Sequence, residues 1–150
     1  MRRIGSRKML RGLAALGAAA ALGGAAPGGE LEVSLAGLRS AKGLVSACLT
    51  RDPARFPKCQ RDPAALRVKR PAGEGGAIRF AALPSGTYAL AVLHDENGNG
   101  RLDTRLGMPR EGFGFSRNPR VTFGPPGFRA AAFPVADAPL RQNVKMRYFL

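Results

Sequence analysis

Residues 83–103, LPSGTYALAVLHDENGNGRLD, constrain the fold more tightly than any other stretch of the chain. Leu83-Pro84-Ser85-Gly86 is a tight turn, because proline fixes φ and glycine supplies a conformation other residues avoid. Thr87 to His94 then alternates with a period of two. Tyr88, Leu90 and Val92 fall on one face, and Ala89, Ala91 and Leu93 on the other. Both faces are apolar, which predicts a central strand, closely packed on its small-residue side. The run ends in Asn97-Gly98 and Asn99-Gly100, and Asn-Gly between strands is the strongest short-range hairpin signal.

Other strand signals follow at short spacing. Leu31, Val33 and Leu35 alternate with Glu32 and Ser34, as in a half-buried strand. Leu44–Thr50, Ala65–Lys69 and Ala77–Leu83 read as strands, as do Val121–Phe123, Phe128–Val135 and Val144–Phe149. Nothing after residue 26 has helical periodicity. Seven or eight short strands between residues 27 and 150 predict an all-β fold, an antiparallel β-sandwich of about seven strands in a single domain. The longest connection, Gly107–Pro126, carries Phe113, Phe115 and Phe123, so it is expected to fold back on the sandwich.

Residues 1–26 belong to a different class of segment. Arg2, Arg3, Arg7, Lys8 and Arg11 form a basic start, and Gly12 to Gly24 holds only Ala, Leu and Gly. The run is shorter than the roughly 20 apolar residues of a membrane span and closes on small residues. This is the pattern of a cleaved signal peptide, which predicts a periplasmic or extracellular protein with no membrane span after cleavage. The chain has 24 Lys plus Arg against 10 Asp plus Glu; without the leader's five cations, 19 against 10 leaves +9. The remaining cations are scattered singly, so no nucleic-acid footprint is expected.

Cys48 and Cys59 are the only cysteines. In an oxidising compartment an even count points to a disulfide, with two buried thiols or a redox pair as alternatives. The absence of Cys-x-x-Cys speaks against the redox pair. The intervening segment contains a turn signal at Asp52-Pro53.

One constellation carries chemistry. Asp95, Asn97 and Asn99 sit two residues apart, followed by Gly100, matching the first half of a calcium loop. Hard Ca²⁺ takes six to eight oxygens, and alternate loop positions converge when glycine permits the bend. Asp95, Asn97 and Asn99 would give side-chain oxygens, Arg101 its backbone carbonyl, and Asp103 a further carboxylate. The twelfth position, where the motif wants a bidentate Glu, is Leu106, so Glu111 is the candidate to close the site. Calcium is therefore the one cofactor the sequence suggests. The competing reading is a turn without a cation, since Asp and Asn also bond their own backbone in such bends.

The stretch from Leu83 to Ser116, with LPSGTYA, HDENGNGRLD and LGMPREGFGFS, resembles the bacterial domain-of-unknown-function family 2141. The resemblance implies an exported bacterial protein with a transthyretin-like or carboxypeptidase-regulatory-like β-sandwich, and no established activity. An enzyme would need a nucleophile, a base and an orienting group within reach. His94 is the only histidine, and it reads as either a general base or metal ligand, or a residue bonding loop backbone. Glu111 with Asp95 or Asp103 would be the carboxylate pair of a glycosidase. No partner motif supports either. The sequence favours a non-enzymatic binding or structural module of the cell envelope, with an envelope polysaccharide or protein as partner. The alternative is a small periplasmic hydrolase working through His94 and Glu111.

Overall fold

The computed structural model describes residues 28–150, so the leader at 1–26 lies outside the described residues. The strands are β1 (Gly29–Ala36), β2 (Leu44–Thr50), β3 (Leu66–Pro71), β4 (Ile78–Leu83), β5 (Gly86–Asp95), β6 (Thr104–Arg105), β7 (Met108–Pro109), β8 (Gly112–Phe115), β9 (Phe133–Val135) and β10 (Pro139–Lys145). A single helical turn, α1 (Phe128–Ala131), precedes β9. Two sheets dominate, with strand orders β10-β1-β4 and β3-β2-β5-β8, while β9 pairs with the start of β5. The fold is all-β with largely antiparallel pairing, as the strand spacing predicts. One pair departs from this, since β1 and β10 run parallel.

The core follows from the alternation. Leu31 and Val33 of β1, Ile78, Phe80 and Leu83 of β4, and Val144 of β10 face Val45, Ala47 and Leu49 of β2 and Tyr88, Leu90 and Val92 of β5. β5 is central, and its second face is buried too. There Ala89 lies under Phe56, Phe115, Phe113 and Ala131, with Ala91 and Phe128 packed against them. Phe56 meets Phe115 and Phe128 edge-on, with ring centroids 5.8 and 6.0 Å apart. Burying such a ring contributes about 1.5–3 kcal/mol. Small side chains on β5 leave the room that Phe56 fills.

Cys48 and Cys59 are bonded, with Cα atoms 6.3 Å apart. Cys48 stands opposite Ala91 on β2, on the same outer face of the large sheet. The bond thus ties the loop carrying Phe56 down over the alanines it covers. Thr50 donates to Asp62 at the base of this loop, and Asp62 in turn accepts from the Ala64 N–H at 2.9 Å. The Thr50 hydroxyl, then the backbone amide and the Arg55 charge, hold the Asp62 carboxyl below the usual aspartate range.

Four expectations need correction. Residues 112–115 are a strand, β8, rather than loop. Phe113 and Phe115 pair with Leu93 and Ala91. Gly112 and Gly114 face the other way, where a Cβ at Gly112 would land in the Tyr148 ring and one at Gly114 would lie 2.5 Å from a Val144 methyl. Val121–Phe123 is not a strand, and Phe123 is 99% exposed. Phe128–Val135 is not one extended run but α1 followed by β9, contrary to the expectation of no helix. The last strand is Pro139–Lys145, earlier than Val144–Phe149. After β10 the chain leaves β1 and joins β8, through Phe113 and Arg147 bonding each other's backbone at 3.0 and 2.8 Å.

Candidate functional site

β5 delivers His94 and Asp95 to one end of the sandwich, where both are fully buried. β2 begins beside them, with Leu44 paired to Asp95 and Val45 to His94. Gly43 makes this crossing possible. Its φ is +68°, and a Cβ there would fall 2.6 Å from the Glu96 Cα and nearer still to the Asp95 carbonyl. The close approach sets the Lys42 carbonyl 2.8 Å from His94 Nε2. On the other side, the Tyr148 hydroxyl lies 2.7 Å from His94 Nδ1.

These contacts fix the imidazole. A carbonyl can only accept, so Nε2 carries the proton and donates to Lys42. Nδ1 then accepts from the Tyr148 O–H, whose oxygen takes the Arg39 backbone N–H at 3.3 Å. The Arg39 guanidinium lies 4.4 Å above the Tyr148 ring and is ion-paired to Glu96. The guanidinium's hydrogen bond, helped by the Ser40 hydroxyl, holds the Glu96 carboxyl below its usual range. The same pairing raises Arg39. Burial pushes the Tyr148 hydroxyl above its ordinary value.

The bend that follows is built from its own polar side chains. Asp95 accepts from the Asn99 N–H at 3.1 Å and the Gly100 N–H at 2.7 Å, one bond to each carboxylate oxygen. Asn97 Oδ1 accepts from the Asn99 N–H, and Asn99 Oδ1 from the Arg101 N–H, each at 3.0 Å. Both amide nitrogens then donate to the same oxygen of Asp103, at 2.6 and 2.9 Å. Those two bonds, Asn99's first, hold the Asp103 carboxyl below the aspartate range, with the Arg101 and Arg110 charges adding to the effect. The Arg101 guanidinium leans toward Asp103 at 3.8 Å and is 79% exposed.

Glu111 closes the bend from across the β6–β7 hairpin. It is 4% exposed and accepts from the Glu96 N–H and the Asp103 N–H, each at 3.1 Å. The hairpin carries Leu106 out to its tip and brings Glu111 back. The residue at the twelfth loop position therefore faces solvent, while Glu111 reaches the loop. Asp95, Asn97, Asn99, Asp103 and Glu111 are thus joined in one hydrogen-bonded set, with Arg101 held in it by its peptide N–H. Among the described residues no three His, Cys, Asp or Glu side chains converge closely enough to hold an ion unaided. A cation here has to be completed by the asparagine oxygens and a backbone carbonyl. Beside the loop is an open hollow of about 220 Å³, lined by Arg39, Glu96, Asn97, Asp103, Arg110 and Glu111.

A family model for uncharacterized proteins conserved in bacteria (DUF2141) matches residues 33–143. The chain belongs to this family. The DUF2141 match begins within β1, ends within β10, and takes in both cysteines and the whole bend from Asp95 to Glu111. No curated protein and no solved structure matches the chain. Sequence reading missed Arg39, Lys42 and Tyr148, which meet Glu96 or His94 across 52 to 57 residues of chain. Tyr148 carried one usable signal, an aromatic with a hydroxyl near the chain's end.

Proposed function

We propose that this chain is an exported, non-enzymatic β-sandwich module of the bacterial cell envelope, transthyretin-like in build, whose apical bend takes one calcium ion. Its partner would be an envelope polysaccharide or protein. The basic leader supports export, and the Cys48–Cys59 bond agrees with an oxidising compartment. The observation that carries the calcium reading is the collection of Asp95, Asn97, Asn99, Asp103 and Glu111 into one bonded set. In it the two amides turn their nitrogens to Asp103. Amide oxygen and nitrogen are nearly isosteric, so rotating each amide aims an acceptor at that carboxylate, at the cost of the bonds its Oδ1 accepts from the Asn99 and Arg101 N–H groups. A divalent ion would then replace two N–H donors.

The hydrolase reading would need His94 as a base. Its ring is fully buried, and both nitrogens are engaged by Tyr148 and Lys42. Glu111 likewise spends both oxygens on backbone N–H groups. Calorimetric titration with Ca²⁺ tests the proposal. A dissociation constant of about 10⁻⁴–10⁻³ M is expected, as for extracellular modules. At about 10 mM Ca²⁺ the fold should gain about 1.4–2.7 kcal/mol by linkage. Glu111→Gln should weaken binding, and Asn99→Asp should tighten it by adding ligand charge. No heat, together with an unchanged melting temperature in calcium, would reject it.

A further inference from the structure

β6 and β7 pair Arg105 with Met108, so Leu106-Gly107 is a two-residue hairpin turn. Both residues have positive φ, +51° and +79°. Such a turn favours Asn-Gly, and a bulky residue at its first position is an outlier. Leu106 is also 91% exposed, so no packing within the fold compensates for its backbone conformation. Met108 and Leu102 stand exposed nearby in the chain, at 44% and 41%. A single exposed leucine is ordinary; one held in a strained turn and offered to solvent points to a use elsewhere.

The charge around the hairpin indicates what that use is. Arg105, Arg110 and Arg39 line one open hollow of about 410 Å³ with Leu150. Among the described residues neither Arg105 nor Arg110 has a carboxylate partner. Of the acids that share a hollow with Arg110, Glu96 is paired with Arg39, Asp103 takes the Asn97 and Asn99 amides, and Glu111 is buried and turned to backbone N–H groups. The surface therefore presents an apolar tip backed by guanidinium groups. We propose that the β6–β7 hairpin docks this protein onto an anionic phospholipid bilayer, Leu106 entering the acyl chains and Arg105 and Arg110 meeting lipid phosphates. A projecting tip needs a deformable apolar phase beneath a layer of anions, which a bilayer supplies and a rigid protein groove does not.

The chain has no Trp, so Leu106→Trp gives one fluorophore at the tip, to which the leader contributes nothing. The processed chain, without residues 1–26, carrying L106W is mixed with equimolar phosphatidylglycerol–phosphatidylcholine vesicles in EDTA, so that the outcome depends neither on the basic leader nor on the calcium reading. The expected result is a blue shift, with quenching by brominated acyl chains. R105Q and R110Q in that background should each weaken partitioning about fivefold. L106N, which suits the turn, should melt no lower than the natural chain and lose vesicle binding. The proposal is overturned by an unshifted spectrum on anionic vesicles, by equal binding to phosphatidylcholine alone, or by L106N binding as the natural chain does. It is equally overturned if the blue shift arises without vesicles and grows with protein concentration, since a second copy would then be the occupant.

Discussion

Gly43→Ala tests how the apex is assembled, with Gly98→Ala as its internal control. Both glycines have similar left-handed backbones, at φ +68° and +73°. Alanine in that region costs about 1–2 kcal/mol, offset by about 0.4–1 kcal/mol of lost unfolded-state freedom. Gly98 has nothing within 4 Å of its would-be Cβ, so this residue of about 0.5–1 kcal/mol is its whole cost. At Gly43 the new methyl group meets the Asp95 carbonyl and lies 2.6 Å from the Glu96 Cα, both backbone. The start of β2 and the end of β5 would have to part, and overpacking of that kind adds about 1–3 kcal/mol. The two variants should therefore differ by about 2 kcal/mol, or about 1 M in urea midpoint at the m-value of a small domain. Because Glu96 N–H is bonded to Glu111, the displacement should also loosen the closure of the bend. Urea melts followed by circular dichroism read both variants. Coincident midpoints would refute the view that a backbone crossing at Gly43 positions the site.

Two further predictions rest on the outer face of the large sheet. Replacing Cys48 and Cys59 by Ala should cost about 3 kcal/mol, from loop entropy over a separation of 11 residues. The double variant should also bind a hydrophobic dye as Phe56 loses its clamp; an unchanged urea midpoint would show that the bond constrains nothing. Asp62 gives a pH dependence. Its carboxyl is depressed in the folded state, so its contribution is complete above the unfolded aspartate value of about 3.9. That contribution is lost as pH falls through the lower folded value. Melts between about pH 2 and 6 should show this acid slope in the natural chain and a flatter one in Asp62→Asn, and parallel slopes would contradict it.

What the sequence revealed depended on how local each signal was. β5 was legible because its alternation runs unbroken between two turns that have their own chemistry. β8 was hidden by Gly112 and Gly114, which weaken any strand signal yet are required by the Tyr148 ring and the Val144 methyl above them. β10 was displaced because its central residues, Arg141, Gln142 and Asn143, are polar at the edge of a three-stranded sheet. In the bend, Asp95, Asn97, Asn99 and Asp103 interact across two to six residues, and spacing alone brought them together. Arg39, Lys42 and Tyr148 reach the apex only through tertiary packing, and no local pattern encodes contacts separated by 52 to 109 residues.

The role of His94 can be decided by removing one oxygen. Tyr148→Phe keeps the ring that stacks under Arg39 and meets the imidazole at 5.9 Å between centroids, and it deletes only the hydroxyl. His94 Nδ1 is then a buried acceptor without a donor, and the Arg39 N–H loses its acceptor as well. Leaving such a group unsatisfied costs about 1–3 kcal/mol, more than the hydrogen bond itself contributes. Nitrogen NMR of the natural chain should find the proton on Nε2, donated to Lys42. The Phe variant should lose stability in that range while its circular dichroism stays that of a β protein. A histidine awaiting a substrate would behave differently, since a base must keep one nitrogen open to solvent and would not rely on Tyr148 for stability. If Tyr148→Phe melts with the natural chain, or if the proton resides on Nδ1, the imidazole is not the strut described, and the catalytic alternative regains its base.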